Sequence, residues 1–163
     1  IKKIHTANCE IKRNGYTPEA IVIHITEGSF KGSISWIQDV KSQVSYHYIV
    51  DTNGDIVEMV NTENTAWHAG LEIKSVWKKL KRGINPNYYT VGIAFAGTAQ
   101  EGPTLEQIIS IVKLTKELCN KYNITIDNDT IIAHNRIRTD KLCPSKKMDL
   151  TVLHYLALLK SIQ

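Results

Sequence analysis

Three residues of this chain carry metal-binding chemistry in suggestive surroundings: His24, His134 and Cys143. His134 closes a short apolar run, Ile131-Ile132-Ala133, and Cys143 follows nine residues later in a polar loop that Pro144 ends. His24 also ends an apolar run, Ile21-Val22-Ile23. A neutral imidazole and a thiolate are good zinc ligands. Three protein ligands with a fourth position open to water form the catalytic pattern, whereas four protein ligands would close a structural site. Lys141, two residues before the cysteine, can place a positive charge beside such a metal. Taken singly, these residues have plainer readings. A histidine after an apolar run is often a hydrogen-bonded core residue, and a lone cysteine behaves as a small buried hydrophobe. The His134–Cys143 spacing is not that of a close-packed finger. The metal reading therefore rests on the neighbourhood Lys141-Leu142-Cys143-Pro144-Ser145 and on the second histidine-terminated strand.

These residues must be held by a scaffold, and the bulk numbers bound it. A chain of 163 residues suits one domain with a sizeable core, spanning 1–163. Hydrophobic residues make up 42% and charged residues 22%, ordinary values for a soluble globular protein. No apolar run approaches a membrane span, so membrane insertion is not expected. Ile1-Lys2-Lys3-Ile4-His5 lacks the apolar centre of a signal peptide, although residue 1 is not Met. The formal charge of +4, from 20 basic and 16 acidic side chains, suits an anionic surface such as a cell wall but is too modest to imply nucleic acid. The basic cluster Lys78-Lys79-Leu80-Lys81-Arg82 has no interleaved aromatics for base stacking and reads as a solvated face. Three cysteines argue against a disulfide framework and suit synthesis in a reducing compartment. Cys9 lies in a polar stretch and Cys119 on an apolar helical stripe; Cys143 stands apart in its loop of Asp, Lys and Pro.

The chain alternates strands with helices. Residues 1–19 are a polar arm with turns at Asn14-Gly15 and Pro18, containing at most a short strand or helix. Residues 20–26 read as a buried strand that Glu27-Gly28-Ser29 ends. Glu27, three residues after His24, is either a catalytic carboxylate or, more simply, a solvated loop residue. A helix capped by Ser33 runs to about residue 43, with Ile34, Ile37, Val40 and Val44 on its apolar face and Trp36 at the edge. Tyr46–Val50 and Ile56–Val60 form a hairpin around Asn53-Gly54. Adjacent strand residues face opposite ways, so Tyr46 and His47 cannot both face a metal. Residues 61–89 are an irregular binding-type loop holding Trp67-His68-Ala69-Gly70, with room for a short helix near 72–80. Trp67 and His68 line a groove or, equally, pack as an indole and a surface imidazole. Residues 90–97 form a strand whose Gly92, Ala94 and Ala96 leave one side small, so something packs closely there. Thr104 and Gln107 make a capping box for a helix to residue 122, with Leu105, Ile108, Val112, Thr115, Cys119 and Tyr122 on its stripe. A strand at 130–133 leads into His134, and a last helix is expected near 149–161. The pattern predicts an α/β domain with a mixed central sheet flanked by helices.

Five stretches, in order, resemble the zinc-dependent N-acetylmuramoyl-L-alanine amidases of the type 2 family, which includes phage endolysin catalytic domains and peptidoglycan recognition proteins. They are Ile21-Val22-Ile23-His24; Ser45-Tyr46-His47-Tyr48-Ile49-Val50-Asp51 with Asn53-Gly54; Ala66-Trp67-His68-Ala69-Gly70; Thr90-Val91-Gly92-Ile93-Ala94-Phe95-Ala96-Gly97; and Ala133-His134 through Lys141-Leu142-Cys143-Pro144-Ser145. The resemblance implies that family's fold, with zinc in a groove along the sheet. It implies hydrolysis of the amide between N-acetylmuramic acid and the first L-alanine of peptidoglycan. His24, His134 and Cys143 would be the zinc ligands, and Trp67 and His68 would line a sugar–peptide groove. It assigns Tyr46 to the site and leaves His47 structural. Some relatives carry a glutamate on the strand matching 90–97; none stands there here, which moves the base role to Tyr46. Lys141 matches the family's Lys-x-Cys-Pro pattern and would stabilise the oxyanion of the amide. A phenol ordinarily titrates near ~10, so Tyr46 acts as a base only with help from zinc and Lys141.

Two readings from other classes compete. One is a peptidoglycan-binding module without activity; relatives of that kind lack the zinc cysteine, and Cys143 is present. The other is a purely structural zinc domain. The phage-like motifs lead us to expect a monomer made in a host cytoplasm and acting on the wall after release, either by itself or as the N-terminal part of an endolysin with a wall-binding module.

Overall fold

The computed structural model describes residues 1–148. In chain order its strands are β1 (Lys2–Lys3), β2 (Cys9–Glu10), β3 (Ala20–Ile25), β4 (Tyr48–Val50), β5 (Ile56–Glu58), β6 (Thr65–Ala66), β7 (Thr90–Phe95) and β8 (Ile131–Ala133). Among the described residues two α-helices interrupt them, α1 (Phe30–Gln38) and α2 (Leu105–Tyr122). Among the described residues, six strands form one mixed sheet in the order β1-β5-β4-β7-β3-β8, and β2 pairs with β6 apart from it. All neighbours in the large sheet run parallel except the β4–β5 hairpin. The domain is therefore α/β with a mixed central sheet, as the alternation of patterns predicts.

The centre of the sheet follows from its sequence. β3 and β7 are buried along their whole length, the situation in which a parallel strand reads as a continuous apolar run. Side chains still alternate between the two faces. Ile21, Ile23 and Ile25 join Val91, Ile93 and Phe95 under α2, whose Ile111, Val112, Leu114, Leu118 and Cys119 complete that core. Ala20, Val22 and His24 point the other way. There Ala20 and Val22 pack with Ala69, Trp77, Tyr89, Ile132 and Ile137, while Ile37 of α1 packs on Ile49, Val57 and Met59. Among the described residues one helix thus covers each face, and His24 lies on the face shared by α1 and the long loop after β5.

The structure moves several expected boundaries. α1 begins at Phe30 because Ser29, not Ser33, accepts the Gly32 N–H; Ser33 instead donates back to the Ser29 carbonyl. The helix stops at Gln38, Asp39 caps a separate 3-10 turn at Val40–Ser42, and Val40 is exposed rather than on a buried stripe. α2 has the expected capping box and ends on Asn123 in the left-handed region. Its buried face is centred on Ile111, Leu114 and Leu118, and Leu105 of its first turn is exposed. The hairpin strands are shorter than expected: Tyr46 and His47 precede β4, and the His47 carbonyl receives both Met59 N–H and Val60 N–H just past β5. The N-terminal arm supplies β1 and β2, residues 72–80 contain no helix, and Pro86–Tyr89 form a 3-10 turn. The helix expected near 149–161 lies outside the described residues. No helix among those described is long and apolar enough to cross a membrane.

Candidate metal centre

The register of the sheet brings the histidines together. β3 lies between β7 and β8, with Ile23 opposite Ala133, so His24 and the residue after β8, His134, stand side by side at the ends of adjacent parallel strands. Their rings are 4.5 Å apart between centroids. The loop after His134 folds back, its Asn135 N–H donating to the Cys143 carbonyl, and delivers the Cys143 thiol to the same point. One donor atom from each of His24, His134 and Cys143 lies within 4.8 Å of the others. Donors on one tetrahedral zinc, with bonds of about 2.0–2.3 Å, stand roughly 3.5 Å apart. The separation of 3.6 Å between Cys143 Sγ and His24 Nδ1 already has that value.

The surroundings fit a cation. His134 Nε2 donates to the Ala69 carbonyl at 3.0 Å, which leaves its Nδ1 as the lone-pair nitrogen. The Ile25 N–H points at Cys143 Sγ from 3.4 Å, a contact that favours the thiolate. Two imidazoles and a sulfur with no carboxylate form a soft nitrogen–sulfur set that suits zinc rather than calcium or magnesium.

Three buried histidines, His24, His68 and His134, crowd this centre with His47 behind His68, and all four are pushed toward the neutral form. Burial is the main cause in each case. For His24 the charges of His134, His68 and His47 add to it; for His68, held down to about 3, those of His134 and Arg13 add. His47 is lowered further by Arg13 and His68, and His134 by Arg138 and Lys141 against the opposing pull of the Ala69 carbonyl. An unfolded histidine titrates near ~6.5, so below that pH the unfolded chain takes up protons that the folded protein excludes. The stability these rings contribute is complete above ~6.5 and drains away as pH falls toward their folded values. The melting temperature of the metal-free protein should therefore drop between about pH 7 and pH 5, above the range where carboxylates titrate. Thermal denaturation at constant ionic strength measures this, and a flat profile across the window would contradict the buried neutral histidines.

The remaining residues singled out from sequence fall around this centre. The half-buried Tyr46 ring lies 5.1 Å from His24. Burial raises its phenol above the ordinary value, and the nearby Cys143 and Glu27 charges raise it further. His47 faces away: its Nδ1 accepts the Gly92 N–H at 2.9 Å and its Nε2 lies 3.1 Å from the Asn64 carbonyl. Lys141 is exposed on the loop before Cys143, close enough for its charge to act on His134. Trp67 is half-buried, and its main chain pairs in both directions with Ser45, next to Tyr46. His68 is only 5% exposed and both ring nitrogens are engaged, Nδ1 with His24 and Nε2 with Thr90, so it does not open onto a groove. Glu27 is exposed at a left-handed turn, its Oε1 accepting the Ala99 N–H. It lines a cavity of about 400 Å³ beside α1 with Thr26, Ser29, Ser33, Trp36 and Tyr46, and of these Tyr46 stands next to His24.

Sequence reasoning missed Arg13. Only 4% exposed, its guanidinium donates to the carbonyls of Thr62, Asn87, Tyr88 and Thr90 and lies 2.8 Å from His47 Nε2. It also missed Asn87, whose Oδ1 accepts the N–H groups of both His68 and Ala69. Asn85-Pro86-Asn87 signals a turn in the sequence, and nothing in it marks the partner.

Residues 14–146 match the family described as N-acetylmuramoyl-L-alanine amidase. Over 108 residues the chain is 34% identical to N-acetylmuramoyl-L-alanine amidase A of Achromobacter lyticus, an alignment covering 64% of this chain and 53% of that protein. The chain spans about half the length of the curated relatives it matches. A mutant endolysin from Bacillus subtilis has the same fold, with a TM-score of 0.70 at 19% identity over 98% of this chain and 99% of that one. The amidase AmiD of E. coli, solved with anhydro-N-acetylmuramic acid-L-Ala-D-gamma-Glu-L-Lys, superposes with a TM-score of 0.62 at 25% identity over 76% of this chain and 51% of that one.

Proposed function

This chain belongs to the N-acetylmuramoyl-L-alanine amidase family, and from that premise we propose that it is a zinc-dependent hydrolase of peptidoglycan, cutting the amide between N-acetylmuramic acid and L-alanine. The observation that carries the reading is the convergence of His24, His134 and Cys143 donor atoms within 4.8 Å. AmiD, whose fold this chain shares, was solved with a muramyl peptide containing that junction. A binding module without activity would have no use for a cysteine brought to 3.6 Å from His24.

In this reading His24, His134 and Cys143 hold the metal. Zinc, when bound, supplies the Lewis acidity that activates water and polarises the scissile carbonyl. The chain's own groups do the rest. Lys141, as an ammonium on the rim, faces the negative charge that develops on the amide oxygen. Burial favours the protonated form of Tyr46. The phenol therefore orients the attacking water or protonates the departing amine more readily than it abstracts a proton. Trp67, whose main chain pairs with Ser45 next to Tyr46, is the candidate to contact substrate there.

The test is mass spectrometry of peptidoglycan digested by the purified protein. The proposal expects stem peptides with new L-alanine amino termini and glycan strands with free lactyl carboxyls. Cleavage between sugars or within the peptide would overturn it, and so would intact walls in the presence of zinc.

A further inference from the structure

We infer that the dipeptide His68-Ala69 is a positioning element that fixes the ring tautomers of both metal-facing histidines, with Pro86, Asn87 and Thr90 holding it in place. The inference rests on reading His24 and His134 as ligands. It gives His68 a role in which it touches neither substrate nor metal.

The direction of each hydrogen bond can be traced from a group that has no choice. The Pro86 carbonyl only accepts, and Thr90 Oγ1 donates to it at 2.7 Å. With its proton committed, Thr90 Oγ1 presents lone pairs to His68 Nε2 at 3.2 Å, so Nε2 carries the His68 proton. A neutral imidazole has one ring proton, so His68 Nδ1 is bare and accepts from His24 Nε2 at 3.0 Å. His24 is thereby protonated on Nε2, and its Nδ1 lone pair faces Cys143 Sγ. The second ligand is set by the adjacent residue, since the Ala69 carbonyl takes the Nε2 proton of His134. Two neighbouring residues thus orient two histidines that lie 110 positions apart in sequence.

The dipeptide is itself pinned. Asn87 Oδ1 accepts the N–H of His68 at 3.1 Å and that of Ala69 at 2.8 Å, and Asn87 is buried. Below it, the His68 ring presses on β7 so closely that a Cβ on Gly92 would stand 2.5 Å from His68 Cγ. No side chain fits there, which explains the glycine. Partners of this kind around metal-binding histidines typically contribute about 10–100-fold in metal affinity.

The test begins with the ring nitrogens of the metal-free wild-type protein, read by ¹⁵N NMR. His24, His68 and His134 should each be protonated at Nε2 and bare at Nδ1. Zinc affinity is then measured by competition with a chelator. His68→Phe keeps a ring and removes the acceptor; Thr90→Val keeps the branched shape and removes the hydroxyl. Each should weaken zinc binding by about 10–100-fold and let the His24 signals report both tautomers, while Thr90→Ser restores wild-type values. A wild-type His24 protonated at Nδ1 would overturn the inference. So would folded His68→Phe and Thr90→Val proteins that bind zinc as the wild type does. If neither variant folds, the wild-type spectrum still decides. If the wild type binds no zinc at all, the metal reading falls, whereas the tautomers remain open to direct measurement.

Discussion

Cys143→Ser should leave a folded protein that holds no zinc and has lost more than about 10³-fold in rate. A hydroxyl is a poor substitute for a thiolate toward zinc, and several kcal/mol of transition-state stabilisation go with the metal. His24→Ala and His134→Ala should do the same, each removing one nitrogen of a three-donor set. Metal content by elemental mass spectrometry, alongside circular dichroism, separates loss of zinc from loss of fold. Any of the three variants that retains full zinc occupancy removes its residue from the ligand set.

Lys141→Ala and Tyr46→Phe should slow turnover by about a hundredfold each while keeping zinc. Lys141 is exposed and approaches the centre only through its charge, so its loss leaves the core untouched. Losing one group that stabilises developing negative charge costs roughly 3 kcal/mol, which sets the size of the effect. Tyr46→Phe keeps the ring tilted against His24 and removes only the hydroxyl; the loss of a proton-transfer partner typically costs about 10²-fold or more. Glu27→Gln serves as the comparison, because Glu27 shares the cavity beside α1 with Tyr46. A fully active Tyr46→Phe together with an inactive, zinc-loaded Glu27→Gln would transfer the proton chemistry to Glu27.

What could be read from the sequence is what local pattern dictates. β3 and β8 are legible because strands buried on both faces must be apolar, so a histidine ending each run stands out. The capping box of α2 and the Asn53-Gly54 hairpin are equally local signals. α1 was harder, since Ser29 and Ser33 are both competent caps and only the Gly32 N–H decides between them. The small face of β7 was visible as Gly92, Ala94 and Ala96, but not its occupant, the ring of His68 from the loop after β6. Arg13 was invisible as a buried group because its main partners are backbone carbonyls, which any residue type supplies. For the same reason His68 reads as a groove wall until Asn87 and Thr90 are seen around it.

The strand order also bears on how the chain comes to fold. β3 is made early, yet its two neighbours in the sheet, β7 and β8, are both parallel to it and arrive some 70 and 110 residues later. Until then β3 has unpaired edges on both sides, and His24 has neither His134 nor Cys143 beside it. Pairings across such long separations are entropically slow to form. During synthesis no nascent segment that stops short of Cys143 contains the three donors, so a growing chain has no high-affinity hold on the metal. If His24, His134 and Cys143 are the ligands, zinc capture is a late event coupled to the closing of the sheet, and a product ending before Cys143 would not hold the ion.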